Sequence, residues 1–371
     1  MPMPRAKETT LELDLVALEH NYNYLRTKLH PSTMFLAVVK AFAYGSDSVI
    51  IAKKLEKLGI DYLAVAYARE GMVLREAGIK TPILVLHAQP SNYFMIIKYC
   101  LEPSIYSPRV LREFLKITKA EKQKAYPVHL KFNTGLNRLG FWENDIDYIS
   151  DVLANREELK IKSIFSHLAA SEDKSEETFS NHQINSFIKI ARELNSKLRI
   201  SPFMHILNTS GILNYPEAQF QMVRSGIGLY GYGNEARYDA ELLPVATLKT
   251  VISQIHTIEP NESVGYNRAF KAEGHKKTAT LPLGHADGIG RQYGNGKASV
   301  LVNGAKAPII GNVCMDMIMI DISDIECNEG DEVIVFGKGH SAETFATGAN
   351  TISYEVLTGI SQRVKRVIIG A

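Results

Sequence analysis

FLAVVKAFAYGSD, residues 35–47, joins an unbroken apolar run to a lysine, Lys40, and then to a helical stretch over 46–58. A short continuous apolar run followed by a helical period reads as a buried strand leading into a helix. The lysine allows two readings. Its head can reach solvent along an apolar stem. Alternatively it is held away from water, which lowers its pKa and leaves a nucleophilic amine. The rest of the chain decides between them.

The same βα unit recurs outward from this stretch. Apolar runs follow at 61–67, 81–87, 102–107, 126–132, 160–168, 203–208 and 221–227. Helical patterns separate most of them, for example 69–77, 108–119 and 176–196, and a helix capped by Asp14 precedes them over 15–29. With the run before Lys40 that makes eight strand candidates in alternation with helices, which predicts a parallel (β/α)8 TIM-like barrel. After about residue 243 the pattern changes to strand-like pieces divided by Gly, Asn and Pro turns, such as 277–284, 307–313 and 331–337. We therefore expect α/β architecture: a barrel over 11–243 that binds a cofactor, then a mostly β domain over 244–371. Residues 1–10 could join the second unit.

Bulk properties narrow the classes. The 371 residues are 45% hydrophobic and 22% charged with a net charge of +2, an ordinary globular composition. No basic stripe stands out, which argues against nucleic acid as a partner. Cys100, Cys314 and Cys327 are widely spaced and odd in number, so neither a disulfide framework nor a thiolate metal centre is expected. The opening MPMPRAKETTLELD has no apolar core and no run is long enough to span a bilayer, so we expect a cytoplasmic protein without membrane contact.

Barrels of this kind do their chemistry at the C-terminal ends of the strands. Those ends carry Lys40 with Tyr44 nearby, Lys131 followed by Arg138, His167, Asn208 with Thr209, and Arg224 with Gly226 and Ile227. The last two strand ends form the usual phosphate site of such barrels, and hydroxyls with free backbone N–H groups suit an anion. A lysine on one side of the mouth and a phosphate cradle on the other fit pyridoxal 5'-phosphate, whose aldehyde condenses with a lysine amine. GIGLYG (226–231) also matches G-x-G-x-x-G, but it opens no clear helix and lacks an early βαβ unit with its acidic residue.

Here the chain resembles the bacterial alanine racemases. VVKAFAYG (38–45) is similar to their cofactor-lysine motif V-V-K-A-N-A-Y-G. The stretches KFNTGLNRLG (131–140), SHLAASED (166–173), VRSGIGLYG (223–231), ESVGYNRAF (262–270), LPLGHADGIGR (281–291), GNVCMDMIMID (311–321) and TISYEVLTGISQRVKRV (351–367) follow in the family's order. The resemblance implies a homodimer with shared sites that interconverts L- and D-alanine, supplying D-alanine for peptidoglycan. Lys40 would carry the cofactor and act as one base. Tyr266, from the β domain of the other subunit, would be the second, since racemisation needs a base on each face of the α-carbon. Arg224 would face the ring nitrogen and leave it unprotonated, and His167 would orient Arg224. Tyr44, Asn208, Thr209, Gly226, Ile227 and Tyr354 would hold the phosphate end. Arg138 and Met315 would address the substrate carboxylate, Lys131 would orient Arg138 at a position often found carbamylated, and His285 and Asp316 would stand at the entrance. No metal is implied. Phe42, Asn133, Thr209 and His285 depart from the family residues, and His285 alters the entrance enough to raise a broader small-amino-acid racemase. A decarboxylase of the same fold would place an acid at the ring nitrogen and a cysteine across the dimer, where Arg224 and Tyr266 stand. A non-catalytic cofactor carrier would lack the β domain.

Overall fold

The computed structural model describes residues 8–154 and 156–370. Eight strands form the first sheet: Met34–Val38, Tyr62–Val65, Ile83–Val85, Glu102–Ile105, Tyr126–Lys131, Leu159–Phe165, Phe203–His205 and Met222–Ser225. Their pairings are all parallel, and the last strand returns to the first. Between the seventh and eighth, Arg224 N–H donates to the Leu207 carbonyl at 3.1 Å and links the two strand ends. The eight runs thus curl into a barrel, as expected from their alternation with helices.

The flanking helices start where the chain supplies caps. Asp14 Oδ1 accepts from the N–H groups of Val16 and Ala17 at 2.9 and 3.0 Å and starts Leu15–Thr27. Asp47 does the same for Ser48–Lys57. Ser107, followed by Pro108, starts Pro108–Ala120, whose buried face carries Val110, Leu111 and Phe114. Helices Tyr93–Lys98, Thr209–Asn214 and Ala342–Thr347 escaped the sequence reading. At six residues each, they are too short to set a helical period.

Nine strands form the second sheet, in the order Gln254–Ile258, Lys276–Leu281, Ile318–Asp321, Ala305–Ile310, Ser299–Val302, Glu332–Phe336, Ala246–Val251, Thr10–Asp14 and Lys365–Ile369. One expectation needs correcting here. The barrel is expected from residue 11, yet Thr10–Asp14 lies in this sheet, antiparallel to Ala246–Val251 and parallel to Lys365–Ile369. Its alternation places Leu11 and Leu13 in the core while Glu12 meets the Lys249 ammonium at 3.0 Å. Both partners of this strand are remote in sequence, so local pattern could not reveal it. Residues 1–7, also offered to this unit, lie outside the described residues. Asn21 fastens the junction: its Nδ2 donates to the carbonyls of Leu229 and Leu243, and its Oδ1 accepts from Leu243 N–H. Among the described residues no helix is long and apolar enough to cross a membrane.

Candidate active site

Lys40 stands just past the first barrel strand, and the backbone after it is unusual. Ala41, Phe42, Ala43 and Tyr44 have φ of 53, 55, 53 and 55°, one turn of left-handed helix, before Gly45 at 78°. Each non-glycine residue in that conformation costs roughly 1–2 kcal/mol, so the turn must be held by its surroundings. Glu70 does so: one carboxylate oxygen accepts from Ala41 N–H at 2.6 Å, the other from Ala66 and Tyr67 N–H at 2.7 and 3.1 Å. Gly45 packs so closely that a Cβ there would lie 1.9 Å from the Leu357 carbonyl oxygen. The turn brings Lys40 and Tyr44 to the same cavity. Phe42 sits in the strained turn with its side chain 57% exposed. Asparagine tolerates the left-handed region far better than phenylalanine. Phe42→Asn is therefore expected to stabilise the fold by about 0.5–1 kcal/mol, read as a higher urea midpoint at unchanged m-value.

The cavity at the barrel mouth has a volume of about 680 Å3, within the range of small-molecule sites. Its lining brings together Lys40, Tyr44, Lys131, Arg138, His167, Asn208, Thr209, Arg224, Gly226, Ile227 and Tyr354. Four of these are cationic types and none of the lining residues is a carboxylate, so the cavity is built for an anion. The same crowding shapes the titrations. Burial lowers the Lys40 pKa, Arg138 adds to the drop and Glu70 partly offsets it. Burial, then Arg138, Arg224 and Lys40, push Lys131 down to about 8. His167 is driven well below the ordinary histidine range by burial and then chiefly by Arg224, so its imidazole is neutral. Burial pushes Arg224 down to about 9, which leaves it a cation at neutral pH.

Lys131 makes this a stability statement. Its folded-state pKa lies below its unfolded value, so the unfolded chain binds more protons between about pH 8 and 10.5. The penalty is complete below that window and is relieved as pH rises through it. A drop from 10.5 to about 8 corresponds to about 3 kcal/mol. Stability of the cofactor-free protein is expected to climb across this window, and Lys131→Met should flatten the climb in urea titrations at stepped pH.

The far side of the cavity is a close-fitting cradle. A Cβ on Gly226 would lie 2.1 Å from Tyr44 Oη, so only glycine fits there. Tyr44 is buried, stacked on Tyr230 with centroids 4.6 Å apart, and tilted against Tyr354. Thr209 and Ser225 share a hydroxyl hydrogen bond of 2.9 Å, and Thr209 Oγ1 accepts from Gly228 N–H. Asn208 caps the helix Thr209–Asn214, its Oδ1 accepting from Gly211 N–H and Ser171 Oγ. Ile227 opens the short helix Ile227–Tyr230, where an N–H has no helical acceptor. Tyr354 reaches this wall from the second unit, on helix Ser353–Gly359, and accepts from Asn234 Nδ2 at 3.2 Å.

The remaining predicted residues are elsewhere. Tyr266, Met315 and Asp316 line a second cavity of about 490 Å3 with Gly265, Cys314 and Met319. His285 adjoins it, its N–H donating to the Cys314 carbonyl at 2.9 Å. One chain therefore does not bring Tyr266 to Lys40. Tyr266 is 74% exposed, with Met315 and Met317 exposed beside it. Asp316 is held by Arg363, which also grips buried Asp287 through two hydrogen bonds.

Sequence reading missed Glu70, Ser225, Tyr230 and Arg363. The first is a capping carboxylate at the third position of helix Ala68–Glu76, a spacing visible in the sequence. The others are legible only through contacts between remote segments.

A parallel barrel with a desolvated lysine and a phosphate-sized cradle at its mouth, carrying an appended β unit, defines the barrel-plus-β class of pyridoxal-phosphate enzymes. Family models described as "Alanine racemase, N-terminal domain" and "Alanine racemase, C-terminal domain" match residues 13–234 and 245–368. The alanine racemase of Thermodesulfovibrio yellowstonii is 39% identical over 366 residues, covering 96% of this chain and 97% of that protein. The solved alanine racemase of Clostridium difficile 630 superposes with a TM-score of 0.91 at 34% identity, over 99% of this chain and 97% of that one. A Bartonella henselae alanine racemase solved with covalently bound pyridoxal phosphate gives 0.90 at 28% identity, over 98% and 100%. The chain belongs to the alanine racemase family and is an isomerase.

Proposed function

We propose that this chain racemises alanine with bound pyridoxal 5'-phosphate, as a homodimer in which two copies share each site. A cytoplasmic role in supplying D-alanine for peptidoglycan goes with that reading. The carrying observation is Lys40: a desolvated lysine, its pKa lowered, in a carboxylate-free cavity. The cavity fits the cofactor, because the Gly226 cradle, the Thr209 hydroxyl and the cationic lining suit a phosphate, while the lysine amine suits its aldehyde.

When bound, the cofactor withdraws electron density from the substrate's α-carbon and acidifies its C–H. The chain's residues do the rest. Lys40 Nζ holds the cofactor and moves a proton on one face. Tyr44, Asn208, Thr209, Gly226, Ile227 and Tyr354 anchor the phosphate end. Arg138 binds the substrate carboxylate, and Lys131, at the end of the strand that precedes it, would orient it once carbamylated, when its like charge becomes an opposite one. Arg224, a cation that only donates, would face the ring nitrogen and leave it unprotonated; His167, neutral, accepts from Arg224 NH2 through Nδ1 at 3.1 Å. Tyr266 of a second copy serves the opposite face, with Met315, Asp316 and His285 around it at the entrance. The exposed Tyr266, Met315 and Met317 form the surface that the second copy would cover.

Incubation with L-alanine in deuterium oxide tests this directly. D-alanine carrying deuterium at the α-carbon is the expected product. Deuterated alanine that stays L would remove Tyr266 from its role, and no exchange in a protein with a visible cofactor band would reject alanine as the substrate.

A further inference from the structure

A row of polar side chains crosses the barrel interior and has no place in the chemistry above. His129, Ser163 and His205 have no exposed surface and Glu102 is 9% exposed, and the four sit on four successive strands of the barrel. Strand alternation puts His129 on the same face as Lys131 and Ser163 on the same face as Phe165, one side-chain layer below the cavity lining. The four form a continuous chain. Glu102 Oε2 lies 2.7 Å from His129 Nε2, His129 Nδ1 2.6 Å from Ser163 Oγ, and Ser163 Oγ 2.9 Å from His205 Nε2. His205 Nδ1 then meets Arg224 NH1 at 2.6 Å.

The direction of every hydrogen bond in this row follows from one end. A guanidinium only donates, so His205 Nδ1 accepts and its hydrogen sits on Nε2. That hydrogen goes to Ser163 Oγ. Among the described residues the Ser163 hydroxyl meets only the two imidazoles, and a buried O–H without an acceptor is costly, so it donates to His129 Nδ1. His129 therefore carries its hydrogen on Nε2 and gives it to Glu102, an acceptor. Reversing the row would set an N–H of His205 against the N–H of Arg224.

Arg224 needs such support. It is 4% exposed, and its donors go to the carbonyls of Ser166, His205 and Ile206 and to two imidazoles, with no carboxylate among them. A buried cation without a counter-charge is unfavourable. The row offers it aligned dipoles that end on a carboxylate.

We propose that Glu102, His129, Ser163 and His205 form a one-way hydrogen-bond relay that holds the Arg224 guanidinium in position at the cavity wall and so governs how it would meet the cofactor ring. These are positioning residues, and the cofactor half of the proposal rests on the placement of Arg224 given above.

Nitrogen-15 NMR of the histidines in the full-length protein, with and without pyridoxal phosphate, tests the relay. His129 and His205 should each show a hydrogen on Nε2 and a bare Nδ1. A doubly protonated His129, or a hydrogen on Nδ1 of His205, would overturn the proposal. Glu102→Gln keeps an acceptor and should leave His205 unchanged. Glu102→Leu removes it, so the His129 tautomer should become mixed while His205, still facing Arg224, keeps its hydrogen on Nε2; the visible cofactor band should shift, and kcat should fall about tenfold with KM little changed. If Glu102→Leu does not fold, Ser163→Ala supplies the same break in mid-row. A break that leaves both the cofactor band and kcat as in the wild type would overturn the control of Arg224. A wild-type protein that shows the assigned tautomers but takes up no pyridoxal phosphate would instead sink the functional reading beneath it.

Discussion

Lys40→Ala is expected to abolish racemisation, with a loss of about 10^4-fold or more, because the variant loses both the amine that holds the cofactor and one of the two bases. The folded state should survive. The Lys40 ammonium is partly desolvated and repelled by Arg138, so its removal relieves a cost. The left-handed turn is held by Glu70 through backbone N–H groups, and those do not depend on the lysine side chain. Wild-type denaturation behaviour together with a missing visible cofactor band is the expected signature. A variant that keeps the band and racemises at a substantial rate would show that another amine, with Lys131 in the same cavity the obvious source, serves instead.

Mixing two inactive proteins should restore activity. In one copy Lys40 and Tyr266 line different cavities. If each working site takes Lys40 from one copy and Tyr266 from the other, a dimer of Lys40→Ala with Tyr266→Phe has one intact site and one doubly damaged site. Random reassortment of equal amounts then gives mixed dimers in half the population, and about a quarter of wild-type activity. Tyr266→Phe alone should lose on the order of 10^2- to 10^4-fold, with α-proton exchange surviving on one face. The readout is the activity of the mixture against the two parents after reassociation. A mixture no more active than its parents would mean that each site is complete within one copy.

The barrel was legible because its signals are local. Each apolar run, each period-3.6 helix and caps such as Asp14 and Asp47 can be read within a window of a dozen residues. The lysine at the end of the first run and the cluster of polar strand ends were legible for the same reason, since strand order alone places those ends around one mouth. Other features depend on contacts between distant segments. Thr10–Asp14 finds its partners near residues 249 and 365. Tyr354 enters the cavity from the far end of the chain. Phe42, judged only as a departure from a motif, proves to sit where a phenylalanine is conformationally strained.

By itself, then, the sequence determined the parallel barrel with its β appendage and the place of Lys40 at a strand end, because side-chain periodicity and backbone propensity act over short distances. The tertiary structure decided which of those residues meet. It buried Lys40 and Lys131 in one carboxylate-free cavity beside Arg138, and burial first, then the cationic neighbours, lowers both lysines. It separated Tyr266 from that cavity, and it aligned Glu102, His129, Ser163 and His205 from four strands into a single row. Electrostatic coupling and hydrogen-bond direction depend on distances through space, and no reading along the chain contains those distances.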